Sequence, residues 1–358
     1  MRLKAPAFWN SPRASIGALL LSPFALLTRI AGWKRQRHWP VHLPVPVICC
    51  GGITVGGTGK TPLTLDLLQR LQKRGYTPHV LTRGYGGKRR RGRVSFRDTA
   101  RSAGDEALLL AQHAPTWCGK DRVSNARQAI AAGADCLVMD DGLQDPSLYK
   151  DLSILTLDGQ VGLGNGQLLP AGPLREPLKR LLKRVHHIAI LGPDAHNLHH
   201  CPEFAGLPVD QAYFAASPEN LRELSDRRVI AFAGIGRPGK FFDMLKASGI
   251  QLLRGLAFPD HHVYSRKDLR RLHQLTHKTG TVLATTQKDA VKLPADFRHN
   301  LCIVETELTW SDPRAPEDFI DRLLASWPRL QAQAQKKLAQ KKIDAHPVSA
   351  QTCQNERS

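Results

Sequence analysis

Short apolar, β-branched runs alternate along the chain with stretches whose apolar residues recur at helical spacing. "PVPVICCGGI" is an apolar run entering a glycine turn, and "TPLTLDLLQRLQKRG" follows at helical spacing and closes on Gly75. "TPHVLTRGYGG" supplies the next strand, "DEALLLAQHA" a helix, "DCLVMDDGLQD" a strand ending in two aspartates, and "DLSILTLDG" one more. Such alternation predicts an α/β fold with a parallel sheet covered on both faces. After the basic "REPLKRLLKRVHH" and a polar segment around His196 to Pro218, the pattern restarts near Arg227. There "RRVIAFAGIGRPGKFFDMLKASG", "IQLLRGLAFPDHH", "SRKDLRRLHQLTHKTG" and "TVLATTQKDAVKL" read as strand, helix, strand, helix, strand, a second, smaller α/β lobe. The expected division is an N-terminal helical segment at 1–40, a first lobe at 41–226, a second at 227–330 and a tail at 331–358. The tail gains Gln and Lys and loses aromatics, so it reads as a frayed helix and disordered basic end.

The N-terminal run from Ile16 to Ile30 is interrupted by Ser22, Pro23, Thr28 and Arg29, which makes it short and flawed for a spanning helix. Trp9, Trp33 and Trp39, with Lys34, Arg35, Arg37 and His38, are residue types that sit at headgroup level and attract anionic lipid. The expectation is an amphipathic helix associated with one leaflet, against the alternative of a helix packed on the protein's own core. Charge points the same way: 51 Lys+Arg against 31 Asp+Glu give a net +20, which draws the chain toward something anionic. The 7 cysteines include no C-x-x-C pair and read as buried thiols in a reducing compartment.

The chemistry begins at "GGITVGGTGKTP". Gly59, Lys60 and Thr61 fit the end of a G-x-x-x-x-G-K-[ST] phosphate loop, with Thr54 where the first glycine belongs. Gly56, Gly57 and Gly59, flanking Thr58, let the loop curl so that backbone N–H groups face a phosphate at a helix start. In this pattern Lys60 reaches the β- and γ-phosphates of a nucleotide and Thr61 offers its hydroxyl to Mg²⁺. Thr54 is tolerable if its backbone stays in an ordinary region. Asp140 and Asp141 stand at the tip of an apolar strand, as a Walker-B acid does. Adjacent residues on a strand end point to opposite sides, so one meets the metal and the sequence does not say which.

Asp105 and Glu106 open a helix, where acids also serve as simple dipole partners. "FPDHH" places Asp260, His261 and His262 just after a strand of the second lobe. Together the two motifs suggest a carboxylate base and a histidine partner meeting across an interlobe cleft. "GLGNGQLLPAGPLREP" is a long glycine- and proline-rich loop holding Asn165 and Arg175, and the guanidinium fork of Arg175 suits a phosphate. The cations from Lys88 to Arg93 form either a solvated basic loop or a nucleic-acid contact, and no stacking aromatics accompany them.

Taken in order, "TVGGTGKTP", "LTRGYGG", "GDE", "DDGLQ", "NGQLLPAGPLREP", "FPDHH" and "TTQKDAVKL" closely resemble the tetraacyldisaccharide 4′-kinases, the lipid A 4′-kinases of Gram-negative bacteria. The resemblance covers the chain to about Leu293, and that family also tends to have Ser or Thr at the position of Thr54. It implies two α/β/α lobes joined by a short β linker, ATP and Mg²⁺ as cofactors, and phosphorylation of the 4′-hydroxyl of a tetraacyldisaccharide 1-phosphate. It also implies the cytoplasmic face of the inner membrane and no nucleic-acid partner. The resemblance makes Asp105 the base and His261 its partner, with Lys60 and Thr61 on nucleotide and metal. Asp140, Asp141 and Glu106 fall near the metal, and Arg175, Arg83 and Tyr85 near the substrate. The rival reading is a membrane-cycling P-loop ATPase or GTPase switch. Val55 stands where such ATPases often have a lysine, and no N-K-x-D guanine motif is present.

Overall fold

The computed structural model describes residues 6–10, 15–35, 39–88, 91–279 and 281–329, with a few scattered helical residues beyond. Arg37 and His38 of the N-terminal basic flank, Arg89 and Arg90 of the basic loop, and nearly all of the tail with Cys353 lie outside the described residues.

The strands in chain order are β1 (Val47–Gly52), β2 (Pro78–Thr82), β3 (Thr116–Cys118), β4 (Cys136–Asp140), β5 (Leu152–Asp158), β6 (His187–Leu191), β7 (Val209–Ala216), β8 (Arg228–Ala233), β9 (Gln251–Ala257), β10 (Val282–Thr286), β11 (Leu301–Val304) and β12 (Thr306–Trp310). The helices are α1 (Ile16–Arg35), α2 (Lys60–Lys73), α3 (Asp105–Ala111), α4 (Arg122–Ala131), α5 (Leu178–Leu182), α6 (Pro218–Leu224), α7 (Pro238–Ala247), α8 (Arg266–Thr279), α9 (Gln287–Ala290), α10 (Ala295–Arg298) and α11 (Ala315–Ala325).

Eight strands form one sheet in the order β12-β7-β6-β5-β1-β4-β2-β3, and four form a second in the order β11-β10-β8-β9. Every pairing is parallel except β12 with β7. In the large sheet β1, β2, β4, β5 and β6 are buried along their whole length, as strands covered by helices on both faces must be. The period of two is visible in β1. Ile48 and Cys50 join the core under α2, while Val47 and Cys49 join the opposite one with Ala126 and Ala129 of α4. Cys49, Cys50, Cys118, Cys136 and Cys302 are buried free thiols, and Cys201 is half-buried.

One expectation needs correction. The second lobe was read as running to residue 330, but β12 returns to the large sheet, pairing Trp310 with Ala212. Helix α11 follows it, burying Phe319, Ile320, Leu323 and Leu324 in the core that holds Leu63 and Leu67. Side chains fasten this return: Trp310 Nε1 donates to Asp66 at 3.1 Å, the Trp310 and Phe319 rings meet edge to face, and Arg70 and Arg74 pair with Glu317. Helix α1 bears on the expected N-terminal amphipathic segment. Ile16, Leu19, Leu20, Phe24, Leu26, Leu27 and Ile30 are exposed along its outward side, while Leu21 and Ala25 are half-buried. The polar face of an amphipathic helix is reduced to Ser22, Thr28 and Arg29 among residues 16–30, so this segment presents apolar surface outward. No helix among the described residues is long and apolar enough to cross a membrane.

If residues 306–325 are integral to the large-sheet core, Phe319→Ala should lower the unfolding free energy by about 3–5 kcal/mol. Urea titration monitored by circular dichroism checks this, and a loss confined to the few tenths expected of a surface site would contradict the packing.

Candidate functional site

The phosphate-loop sequence folds as a strand, a turn and a helix because two glycines absorb backbone that other residues resist. Gly59 has φ 83° and caps α2; a Cβ there would also lie 2.3 Å from Leu191 Cδ1. Gly56 has φ 120°. Thr54 is not among the positive-φ residues, which meets the condition for replacing the first glycine. It is buried and forms a bridge with Leu174, flanked by Val55 N donating to Pro173 O at 2.9 Å and Arg175 N donating to Ile53 O at 2.8 Å. The phosphate loop is thus bolted to the glycine- and proline-rich loop. Gly57 is exposed, and Thr58 is buried with its hydroxyl 3.2 Å from that of Thr156 on β5. Lys60 Nζ donates to Gly56 O and Thr58 Oγ1, both at 3.4 Å, so its ammonium curls back over the loop. Thr61 lies buried in the first turn of α2.

The two aspartates after β4 diverge. Asp140 is fully buried, accepts from Thr64 Oγ1 at 3.2 Å and leaves Oδ2 with no partner. Burial, with the negative charges of Glu106 and Asp141, pushes its pKa well above the usual carboxylate range. Asp141 takes the left-handed conformation, φ 51°, and its carboxylate accepts from Arg175 Nη1, with both oxygens at 2.8 Å. Burial alone would raise the pKa of Asp141, but the charges of Lys60, Arg175 and Arg122 outweigh it and hold the carboxyl below its ordinary value. Arg122, itself buried, donates to the carbonyls of Asp140 and Asp141 and so fixes the turn between them.

The second half of the site comes from the other lobe. His261 Nδ1 lies 2.7 Å from Asp105 Oδ2 and donates to it, since an ionised carboxylate only accepts. His261 is held at φ 57°, a conformation costing about 1–2 kcal/mol for a residue with a Cβ. Beside it, Lys288 Nζ on α9 pairs with Glu106 at 2.8 Å. Burial would raise the pKa of Asp105, but the hydrogen bond from His261 and the charges of Lys288 and Lys292 hold it below the usual range. For Lys288 burial works downward, and the charges of Glu106 and Asp105 more than reverse it. The "RGYGG" turn packs directly on the start of α3: a Cβ on Gly104, at φ 94°, would lie 2.6 Å from Tyr85 O, and one on Gly87 would lie 2.6 Å from the carbonyl carbon of Ala103. Tyr85 leans on His261 with ring centroids 5.6 Å apart, and Arg83 is exposed.

Lys60, Asp140, Asp141, Glu106, Asp105, His261, Arg175 and Tyr85 are therefore linked by contact or by charge, directly or through Lys288, with Thr61 next to Lys60 at the start of α2. Asn165 is placed differently. Its amide donates to Ala171 O at 3.0 Å and Phe8 O at 3.4 Å, bracing its own loop against the N-terminal segment. Sequence reading passed over the "GIGRPGK" turn. Arg237 and Lys240 there converge on the buried Asp158 at the tip of β5, at 2.7 and 2.5 Å, a second ionic contact between the lobes. It also gave no role to Lys288 and Asp289, although "QKDAVK" carries alternating charges just after a strand.

A two-lobed α/β protein with a phosphate loop, a buried strand-tip aspartate and a carboxylate–histidine pair across the cleft belongs to the P-loop phosphotransferase type. The family profile described as "LpxK: Tetraacyldisaccharide-1-P 4'-kinase" matches residues 17–325, and the chain belongs to that family. It is 52% identical over 330 residues to a tetraacyldisaccharide 4'-kinase of Gluconobacter oxydans, covering 91% of this chain and 100% of the relative. It is 48% identical to the one of Gluconacetobacter diazotrophicus, over 90% of this chain and 98% of the relative. The crystal structure of LpxK from Aquifex aeolicus in complex with ATP superposes with a TM-score of 0.69 at 28% identity, covering 86% of this chain and 99% of that one.

Because the folded pKa of Asp105 is depressed, its stabilising contribution is full above the ordinary carboxylate value near pH 4 and is lost as pH falls through the folded value. Urea unfolding of wild type and Asp105→Asn from about pH 6 to about pH 3 should therefore show a stability gap that narrows with acid. A gap independent of pH would contradict the ionised pairing.

Proposed function

We propose that the chain transfers the γ-phosphoryl group of ATP to the 4′-hydroxyl of a tetraacyldisaccharide 1-phosphate, the lipid A precursor. The observation carrying this reading is the contact of Asp105 with His261 in the cleft beside the phosphate loop. Asp105, kept ionised by its partners, accepts the proton of the attacking hydroxyl, and His261 steadies the carboxylate through Nδ1–H. Lys60 sets an ammonium over the loop where charge develops on the transferred group. Gly57 and its neighbours offer backbone N–H groups to the phosphates. Arg175 orients Asp141 and lies at the substrate side with Tyr85 and Arg83. Asn165 serves the site at one remove, by shaping the loop that carries Arg175.

The residues fit Mg²⁺. Among the described residues there is no cluster of three or more His, Cys, Asp or Glu able to hold a metal alone. Mg²⁺ commonly takes one or two carboxylates plus substrate oxygens. Of the carboxylates, Asp141 is engaged by Arg175 and Glu106 by Lys288, whereas Asp140 keeps a buried oxygen without a partner. Asp140, with the Thr61 hydroxyl, would therefore hold the metal, with Asp141 and Glu106 supporting it electrostatically. Bound there, the ion would supply neutralisation of the negative charge on the transferred phosphoryl group. The apolar outward side of α1 suits the cytoplasmic leaflet of the inner membrane of a Gram-negative bacterium, where the acylated substrate lies. The lobe built around β1 to β7 binds nucleotide in this scheme, and the lobe of β8 to β11 brings His261 to it.

The test is incubation with Mg·ATP and tetraacyldisaccharide 1-phosphate in mixed micelles, following the lipid by mass spectrometry. Wild type should add one phosphate and Lys60→Ala none. Asp105→Ala should lower kcat by about 10²–10⁴-fold with little change in the KM for ATP. ATP consumption that ignores the lipid would sink the kinase reading, and normal turnover by Asp105→Ala would remove Asp105 as base.

A further inference from the structure

The histidine of the interlobe pair stands on a turn with no regular structure of its own, and a buried ionic knot lies behind it. Asp289, on the single-turn helix α9, is fully buried, and four donors converge on its carboxylate. Gly234 N reaches both oxygens at 3.0 Å, Tyr264 Oη donates at 2.8 Å, Thr286 Oγ1 at 2.8 Å, and Lys292 Nζ lies at 2.6 Å. Lys292 balances the charge, so the carboxylate is both neutralised and saturated with hydrogen bonds.

The knot acts on Gly234, the first residue after β8. Gly234 O accepts the backbone N–H of His261 at 3.0 Å and a second bond from Lys292 Nζ at 3.3 Å. A Cβ on Gly234 would lie 3.1 Å from Asp289 Oδ1, His262 Cβ and Pro259 O alike, so these three pieces meet there with no room between them. The neighbouring residue α9 presents, Lys288, reaches the other way, to Glu106 next to Asp105. One helical turn therefore grips both members of the Asp105–His261 pair, the histidine through Gly234 and the carboxylate side through Glu106.

We infer that Asp289, with Lys292, is the positioning residue of His261: through Gly234 it holds the left-handed turn that aims the imidazole at Asp105. Asp289 touches neither Asp105 nor the imidazole of His261, so its contact route to the pair runs through Gly234 and the His261 backbone. This rests on the kinase reading above, in which the Asp105–His261 pair handles the proton.

The experiment is a double-mutant cycle on the full chain with the micelle assay. Asp289→Asn keeps the shape but turns one acceptor into a donor facing Gly234 N or Lys292. It should lower kcat about ten- to hundredfold, the range seen when a partner that orients a functional group is removed. The KM for Mg·ATP should stay near wild type, because the interaction lost is one used in the transition state. In a His261→Ala background the same substitution should cause no further loss. Tyr264→Phe leaves the carboxylate intact with one donor fewer. It should show a smaller loss of kcat that likewise vanishes without His261, and it carries the test if Asp289→Asn fails to fold. An equal fold-loss in both backgrounds would make the knot merely structural and overturn the inference, as would unchanged kcat in the single variants while His261→Ala is impaired. Wild-type turnover by His261→Ala would instead overturn the reading underneath.

Discussion

The 2.7 Å contact between His261 and Asp105 is the constraint around which the molecule is arranged, because its two ends stand on helix and turn segments attached to different sheets. A hydrogen bond of that length tolerates little misplacement, so each lobe must deliver its residue on rigid support. On the large-sheet side Asp105 starts α3, and the glycines at 84, 87 and 104 allow the preceding turn to lie backbone against backbone. On the other side His261 is placed by a left-handed turn whose carbonyl partner is Gly234. Further ionic contacts, Glu106 with Lys288 and Asp158 with Arg237 and Lys240, set the lobes at the spacing the pair requires. Each of these joins a carboxylate of the large-sheet lobe to a cation of the smaller one, so the chain's excess of Lys and Arg is partly spent on holding its own halves in register.

How much of this was legible in the sequence depended on whether the physics was local. The phosphate loop was legible because strand, glycine turn and helix start occur within a few residues, and positive φ at Gly56 and Gly59 is demanded by the turn itself. The divergence of Asp140 and Asp141 was also legible, since adjacent residues at a strand end point apart. Which of them pairs with Arg175 was not, because that depends on where a distant loop comes to rest. The pairing of "GDE" with "FPDHH" was anticipated from chemistry, but its support was not. Asp289 looks like an ordinary helix-start acid, and only the tertiary fold brings Gly234, Tyr264 and Lys292 onto it. The same blindness explains β12 and α11. Their periodicity is plain, yet nothing in an amphipathic period says which sheet it will cover.

The carboxylates of the cleft follow a pattern that only the assembled site reveals. Asp105, Glu106, Asp141 and Asp158 each form an ion pair with a cation or histidine, whereas among the described residues the Asp140 carboxylate has the Thr64 hydroxyl as its hydrogen-bond partner and meets the Lys60 charge without an ion-pair contact. Bringing several acids close together is costly unless each charge is met, and here all but one are met by a direct ion pair from the chain itself. The remaining one lies deepest, at the tip of a central strand next to the phosphate-loop strand. Charge balance thus distinguishes the aspartates more sharply than their positions in the sequence do.

The loop at 165–175 extends this logic to the N-terminal helix. At its outer end Asn165 N donates to Trp9 O at 2.8 Å, Thr28 Oγ1 donates to Leu169 O at 2.7 Å, and Trp9 Nε1 donates to Pro170 O at 3.1 Å. At its inner end Pro173 and Arg175 bond the backbone of the phosphate loop, and the Arg175 side chain holds Asp141. One short stretch of chain therefore touches the exposed apolar helix, the phosphate loop and the acidic turn in succession. Thr54, whose φ is not positive, forms the bridge with Leu174 that completes this connection. Thr54 is thus part of the linkage: through its bridge and the flanking backbone bonds, the loop that meets α1 also braces the glycine turn before α2.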